Sequence, residues 1–130
     1  MEEYRVSVKE SSRDLTARER IRYKNSAGAI KLDEAISDSD FDGNGKVIIA
    51  PVAYVVLDIH NDKSDPPDYN NYVIIDKDDN TYVTGSSSFW KQFKSIWDEM
   101  SGENEAWEIE VFKVDSKNYK GKKFITCNIL

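Results

Sequence analysis

The chain has 130 residues, of which 39% are hydrophobic and 32% charged; this excludes a disordered polymer and suffices for one core without disulfides or a structural metal. The net charge is −6, the single cysteine (Cys127) has no internal partner, and no apolar run approaches the ~20 residues of a membrane helix. The first residues, MEEYRVSVKE, have neither the basic start nor the apolar stretch of a signal peptide, so the expectation is a cytoplasmic protein without membrane association.

Along the chain, residues 13–29 (RDLTARERIRYKNSAGA) have few apolar anchors and read as a short polar helix or an arm. This stretch is basic: from Arg13 to Lys31 there are six basic residues against two acidic ones. Residues 37–46 (SDSDFDGNGK) read as a turn-rich loop, since Asp, Asn and Gly supply turn geometry. Asp38, Asp40, Asp42 and Gly43 match the opening of a calcium-binding EF-hand loop, but Lys46 and Ile49 stand where its ninth and twelfth ligand positions fall. An acidic solvated turn is the better reading, and weak calcium binding stays open. Residues 1–46 are thus expected to form an arm and acidic loop packed on or flanking the body of residues 47–130.

From Val47 the pattern sharpens. Val47–Ile49 and Val52–His60 read as strand pieces separated by Pro51, which has no N–H to give to a central ladder. Tyr72–Ile75 and Thr81–Thr84 read as a hairpin across an Asp/Asn turn. Ser86–Ser88 then offer N-caps to a helix in which Phe89, Trp90, Phe93, Ile96, Trp97 and Met100 recur every three or four residues, and Gly102 is placed to close it in a left-handed cap. Strands follow at Trp107–Val114 and Lys122–Ile129; a slip of alternation at Phe112 and Val114 suggests a β-bulge, and Cys127 alternates with Ile125 and Ile129 toward the core. The order β-β-β-α-β-β describes a mostly β protein with one main helix: a five-stranded OB-like barrel preceded by an irregular or partly helical N-terminal segment.

Catalysis finds little support. His60 is the only histidine, with no nucleophile near it in sequence, and reads as structural or solvent-facing; no enzyme activity, cofactor or metal is expected. The strongest constellation is the loop between the last two strands, where Lys117, Tyr119, Lys120, Lys122 and Lys123 combine cations for phosphates with an aromatic ring for base stacking. On the OB plan this loop and the second and third strands contact ligand, and those strands carry Tyr72 and Tyr82. Arg18, Arg20 and Arg22 form a second cationic surface that either clamps a nucleic-acid strand or docks on the chain's own acids.

The stretches GSSSFWKQFKSIWDEM and EAWEIEVFKVDSKNYKGKKFITCNI resemble small single-stranded DNA-binding proteins encoded by tailed phages, over roughly residues 52–130. That resemblance implies an OB barrel that coats single-stranded DNA in replication or recombination, in a host-cell cytoplasm, with proteins of those processes as further partners. It carries over Lys117, Tyr119, Lys120, Lys122 and Lys123 as the binding residues. Monomer and oligomer both fit. The alternative function is a protein-binding module or acidic inhibitor that mimics nucleic acid, motivated by the acidic runs at 33–42 and 98–110.

Overall fold

A computed structural model describes residues 3–25, 28–41, 45–115 and 123–130. The elements run β1 (Tyr4–Ser11), α1 (Ala17–Asn25), β2 (Ile30–Lys31), α2 (Leu32–Phe41), β3 (Lys46–Ile49), β4 (Pro51–Asn61), β5 (Asp68–Asp76), β6 (Thr81–Thr84), α3 (Ser87–Met100), β7 (Ile109–Asp115) and β8 (Lys123–Ile129). The protein is β-rich, with a five-stranded sheet in the order β1-β4-β5-β6-β2 and a three-stranded sheet in the order β3-β7-β8. Among the described residues the sheets do not close into a barrel. No helix is long and apolar enough to cross a membrane.

Contacts group the chain into two units that interleave along the sequence: Met1–Ile30 with Val52–Gly85, and Lys31–Pro51 with Ser86–Leu130. In the first, Ala53, Val55, Leu57 and Ile59 alternate along β4 and pack with Val73, Ile75 and Tyr23, joined by Val6, Val8, Leu15, Tyr69 and Val83. Period-two alternation puts every one of the β4 residues on the same face. The N-terminus is therefore not an arm. Val6 and Val8 alternate with Arg5 and Ser7, and β1 pairs antiparallel with β4 through Tyr4↔Asn61, Val6↔Ile59 and Val8↔Leu57, with a register shift between Val8 and Glu10.

Helix α1 starts at a reciprocal cap. The Glu19 N–H donates to Thr16 Oγ1 (3.1 Å), and the Thr16 N–H donates to Glu19 Oε1 (3.0 Å), so two unpaired amides of the first turn are satisfied together. The helix has one buried anchor, Tyr23. Residues 37–41, expected as loop, belong to α2. Its acids Asp33 and Glu34 lie in the first turn, where the helix dipole favours negative charge, and Leu32 and Ile36 bury one turn apart. Asp38 and Asp40 thus fall on helix backbone, while Asp42 and Gly43 lie outside the described residues.

The β5–β6 hairpin has the expected strands, with Tyr72↔Thr84 and Ile75↔Thr81 as its outer pairs. Its turn is organised by Asp76, a buried carboxylate that accepts from the Asp78 N–H (2.9 Å), the Asn80 N–H (2.8 Å) and Asn80 Nδ2 (3.0 Å), while Asp79 takes a positive φ of 67°. Asp76→Ala strands two backbone amides, and each loses a charge-assisted bond. A destabilisation of about 2–3 kcal/mol is expected in urea unfolding, with Asp76→Asn intermediate.

In the second unit α3 packs on β8, and α2 on β3 and β7. Ser86 caps α3, its hydroxyl accepting from the Phe89 N–H at 3.2 Å, and Ser88 Oγ donates to the Ile125 carbonyl at 3.0 Å. Phe89 and Phe93 are fully buried together with Ile109, Val111, Leu32, Ile36 and Ile49. At its other end the helix closes on Ser101, whose N–H reaches the Trp97 carbonyl at 2.8 Å, followed by the Glu103 N–H on Met100 at 3.0 Å. These turn bonds engage the Trp97 and Met100 carbonyls, and Gly102 takes no left-handed conformation.

The bulge expected in β7 is also absent. Its register against β8 is unbroken from Ile109↔Ile129 to Asp115↔Lys123. Both faces of β7 are used: Lys113 reaches toward Asp33 of α2 at 3.8 Å, and Phe112, on the opposite face, is covered by Lys46 at 5.5 Å from its ring centroid. Cys127 faces inward opposite Val111, as its alternation requires, and burial pushes its thiol up to about 12. Because the thiolate is the reactive species, a thiol reagent at pH 8 is expected to label Cys127 only as fast as the fold opens, against rapid labelling in denaturant.

Candidate functional site

Of the residues expected to bind nucleic acid, Lys117, Tyr119, Lys120 and Lys122 lie outside the described residues; Lys123 is exposed at the start of β8, where it pairs with Asp115.

Among the arginines of α1, two have structural tasks. Arg20 Nη1 donates to the Leu15 carbonyl (2.7 Å), which braces the start of the helix. Arg22 grips the β5–β6 turn with both terminal nitrogens, Nη1 on Asp79 Oδ2 (2.8 Å) and Nη2 on the Asp79 carbonyl (3.0 Å). Of the two roles expected for this arginine, clamping nucleic acid or docking on the chain's own acids, the contact with Asp79 is of the second kind. Arg13 is likewise paired with Glu19 at 3.0 Å. Arg18 is exposed and makes no ion pair among the described residues; it shares the outer side of α1 with Lys24 and the 59%-exposed Ile21.

Tyr72 and Tyr82 stand on one face of the β5–β6 hairpin, since Tyr72 opposes Thr84 and Ile74 opposes Tyr82. They are not equally available. Tyr72 is 8% exposed and sits with Ile74, Tyr54 and Val56 among the buried side chains of this unit, so its ring offers no stacking surface. Tyr82 is partly exposed; burial, and then the nearby carboxylates of Asp76 and Asp78, push its hydroxyl pKa upward.

At the far end of the same sheet the surface turns polar, and sequence reading missed what collects there. Arg5 pairs with His60 and Ser7 with Asp58 across β1 and β4; these four line a groove with Asp68 of β5. His60 lies between two carboxylates: Nδ1 is 2.7 Å from Asp68 Oδ1 and Nε2 is 2.6 Å from Asp62 Oδ1. With both ring nitrogens facing acceptors the imidazolium is favoured, and the His60 pKa is raised, by Asp68 first and Asp62 second. Asp62 is held below the usual carboxylate range, chiefly by the Glu3 N–H (2.8 Å to Oδ2) and then by His60. Glu3 completes the cluster, its own carboxylate paired with Arg5 Nε at 2.7 Å. The chain shows one local hint of this arrangement: His60 and Asp62 are only two apart in sequence, at the end of β4 and in the turn that follows. Glu3 arrives from the residue before β1, and Asp68 from the start of β5.

Comparison with known proteins finds no family model, no curated protein and no solved structure that matches this chain. Its function is read from its own residues.

Proposed function

We propose that the chain is a sequence-tolerant single-stranded DNA-binding protein built on an open version of the OB plan. The observation that carries this reading is strand connectivity. β3 and β4 follow one another with only Ala50 between them; β3 pairs with β7, and β4 lies beside β5. Two consecutive strands that pair in different sheets, followed by β5 and β6, a helix and a β7–β8 hairpin, support the order of a partly open Greek-key barrel. On that plan the β7–β8 connection is a ligand loop, and here it holds Lys117, Tyr119, Lys120 and Lys122, with Lys123 at its base. Cations there and at Arg18 follow phosphates, and Tyr119 stacks on bases without reading their identity. Tyr72 has no part in it.

The test is a fluorescence titration of a ~30-nucleotide single strand and the matching duplex at about 50 and 200 mM salt. Preference for the single strand, collapsing at the higher salt, is the expected result. Absence of binding at both salts removes the proposal. It would favour instead a protein-binding module presenting the exposed acids Asp98, Glu99, Glu103, Glu105 and Glu108 to a basic partner.

A further inference from the structure

We propose that Glu3, His60 and Asp62 form a binding site for a divalent transition-metal ion of the zinc class, with Asp68 orienting the imidazole. This is independent of nucleic-acid binding and rests on the polar end of the five-stranded sheet. The antiparallel pairing of β1 with β4 continues one step past Tyr4↔Asn61: the Asp62 N–H donates to the Glu3 carbonyl (3.0 Å), and the Glu3 N–H to Asp62 Oδ2 (2.8 Å). Glu3 therefore stands opposite Asp62, the turn residue that follows β4, and His60 near the end of β4 lies beside them. One donor atom from each of the three lies within 4.8 Å of the others.

The donors suit an ion of intermediate softness. One imidazole with two carboxylates is a set that zinc and its neighbours accept, whereas calcium and magnesium favour oxygen alone. Three protein ligands leave a fourth position open to water or a further ligand. The second carboxylate on His60 strengthens the case. With the Nδ1 proton donated to Asp68 at 2.7 Å, Nε2 becomes the ligating nitrogen, in the carboxylate–histidine–metal arrangement that fixes tautomer and ring orientation. Electrostatics point the same way: the four acids Glu3, Asp58, Asp62 and Asp68 outnumber the two fixed cations beside them, Arg5 and Lys63.

Between His60 and Asp62 the rearrangement required is small. Two ligands of a tetrahedral ion with bonds of about 2.0 Å lie roughly 3.3 Å apart. His60 Nε2 and Asp62 Oδ1 are 2.6 Å apart, so the partly exposed Asp62 carboxylate must draw back by less than ~1 Å as the ion replaces the proton on Nε2. Glu3 keeps one oxygen on Arg5 and has the other for the ion. Cys127 does not compete, being buried.

The experiment uses the full, tag-free chain stripped with a chelator and titrated with zinc chloride at pH 7.5. Binding is followed by calorimetry and by the ring nitrogen resonances of its only histidine. One equivalent is expected, with a large shift at Nε2 and a retained proton at Nδ1. His60→Ala and Asp62→Asn should each weaken this binding by tenfold or more. Asp68→Asn should weaken it by about tenfold while the Nε2 shift persists, as expected for a positioning residue. Zinc that leaves the ring resonances of the unmodified chain unmoved, or that binds His60→Ala equally well, would overturn the assignment. The ring signals are read on the unmodified chain, so the test holds whether or not a variant folds.

Discussion

Replacing Phe93 with alanine should lower the unfolding free energy by about 3–5 kcal/mol, the largest single-residue effect expected on stability. Phe93 is fully buried, with its ring centroid 5.6 Å from Phe89, 5.8 Å from Trp90 and 5.9 Å from Trp97. Truncation removes the transfer free energy of the ring and leaves a cavity lined by rigid aromatics, which cannot collapse to fill it. Two comparisons separate this from a general loss of helix. Phe93→Leu keeps most of the volume and should cost less than half as much, and Trp90→Ala, at a partly exposed position of the same helix, should also cost less. Urea unfolding followed by tryptophan fluorescence reads all three. Trp97 reports through its edge contact with Trp107, at 5.9 Å between ring centroids. A Phe93→Ala midpoint within error of the parent protein would mean that α3 does not depend on this anchor.

The second large effect concerns DNA. If Arg18, Lys117, Lys120, Lys122 and Lys123 each neutralise a phosphate, the logarithm of affinity should fall with the logarithm of salt at a slope near −3.5, using about 0.7 per contact on a single strand. Between about 50 and 200 mM salt that is a loss of roughly a hundredfold. Changing Lys117, Tyr119 and Lys120 together to alanine should act twice. Removal of one stacked ring costs ~1–3 kcal/mol at any salt, and removal of two cations flattens the slope by about 1.4. Arg22→Ala is the control that the structure supplies. Its guanidinium is engaged by Asp79, so the variant should loosen the contact between α1 and the hairpin turn and leave the salt slope unchanged. A slope that is the same in the triple variant would place the phosphate contacts elsewhere on the chain.

The features legible in the residues are those with a short physical range. The β5–β6 hairpin is written in two runs of β-branched and aromatic residues and an Asp/Asn turn, and α3 in a capping serine followed by aromatics every three or four positions. Burial of Cys127 follows from simple alternation, once a closing strand is assumed. Each of these depends on neighbours a few residues away, and the alternation or cap needs no distant partner to be recognised. The capping box of α1, Thr16 to Glu19, was equally local, and its start signal was there to read.

Tertiary structure decided the rest, because the deciding partners are far off in sequence. β1 has only Val6 and Val8 as inward residues, too few to mark a strand until β4, some fifty positions later, supplies the ladder and the apolar surface. α2 is specified by two buried residues one turn apart, in a stretch whose Asp and Ser content otherwise favours turns. Strand parity puts Tyr72 and Tyr82 on one face, yet only the packed structure shows that Tyr72 is buried there and Tyr82 partly exposed. Likewise an arginine in a basic run has no visible assignment until its acid is found, as Arg22 shows with Asp79. His60 is the clearest case. Alone in the sequence it looks inert, and only the folded chain brings Glu3, Asp62 and Asp68, from the ends of β1, β4 and β5, around one imidazole.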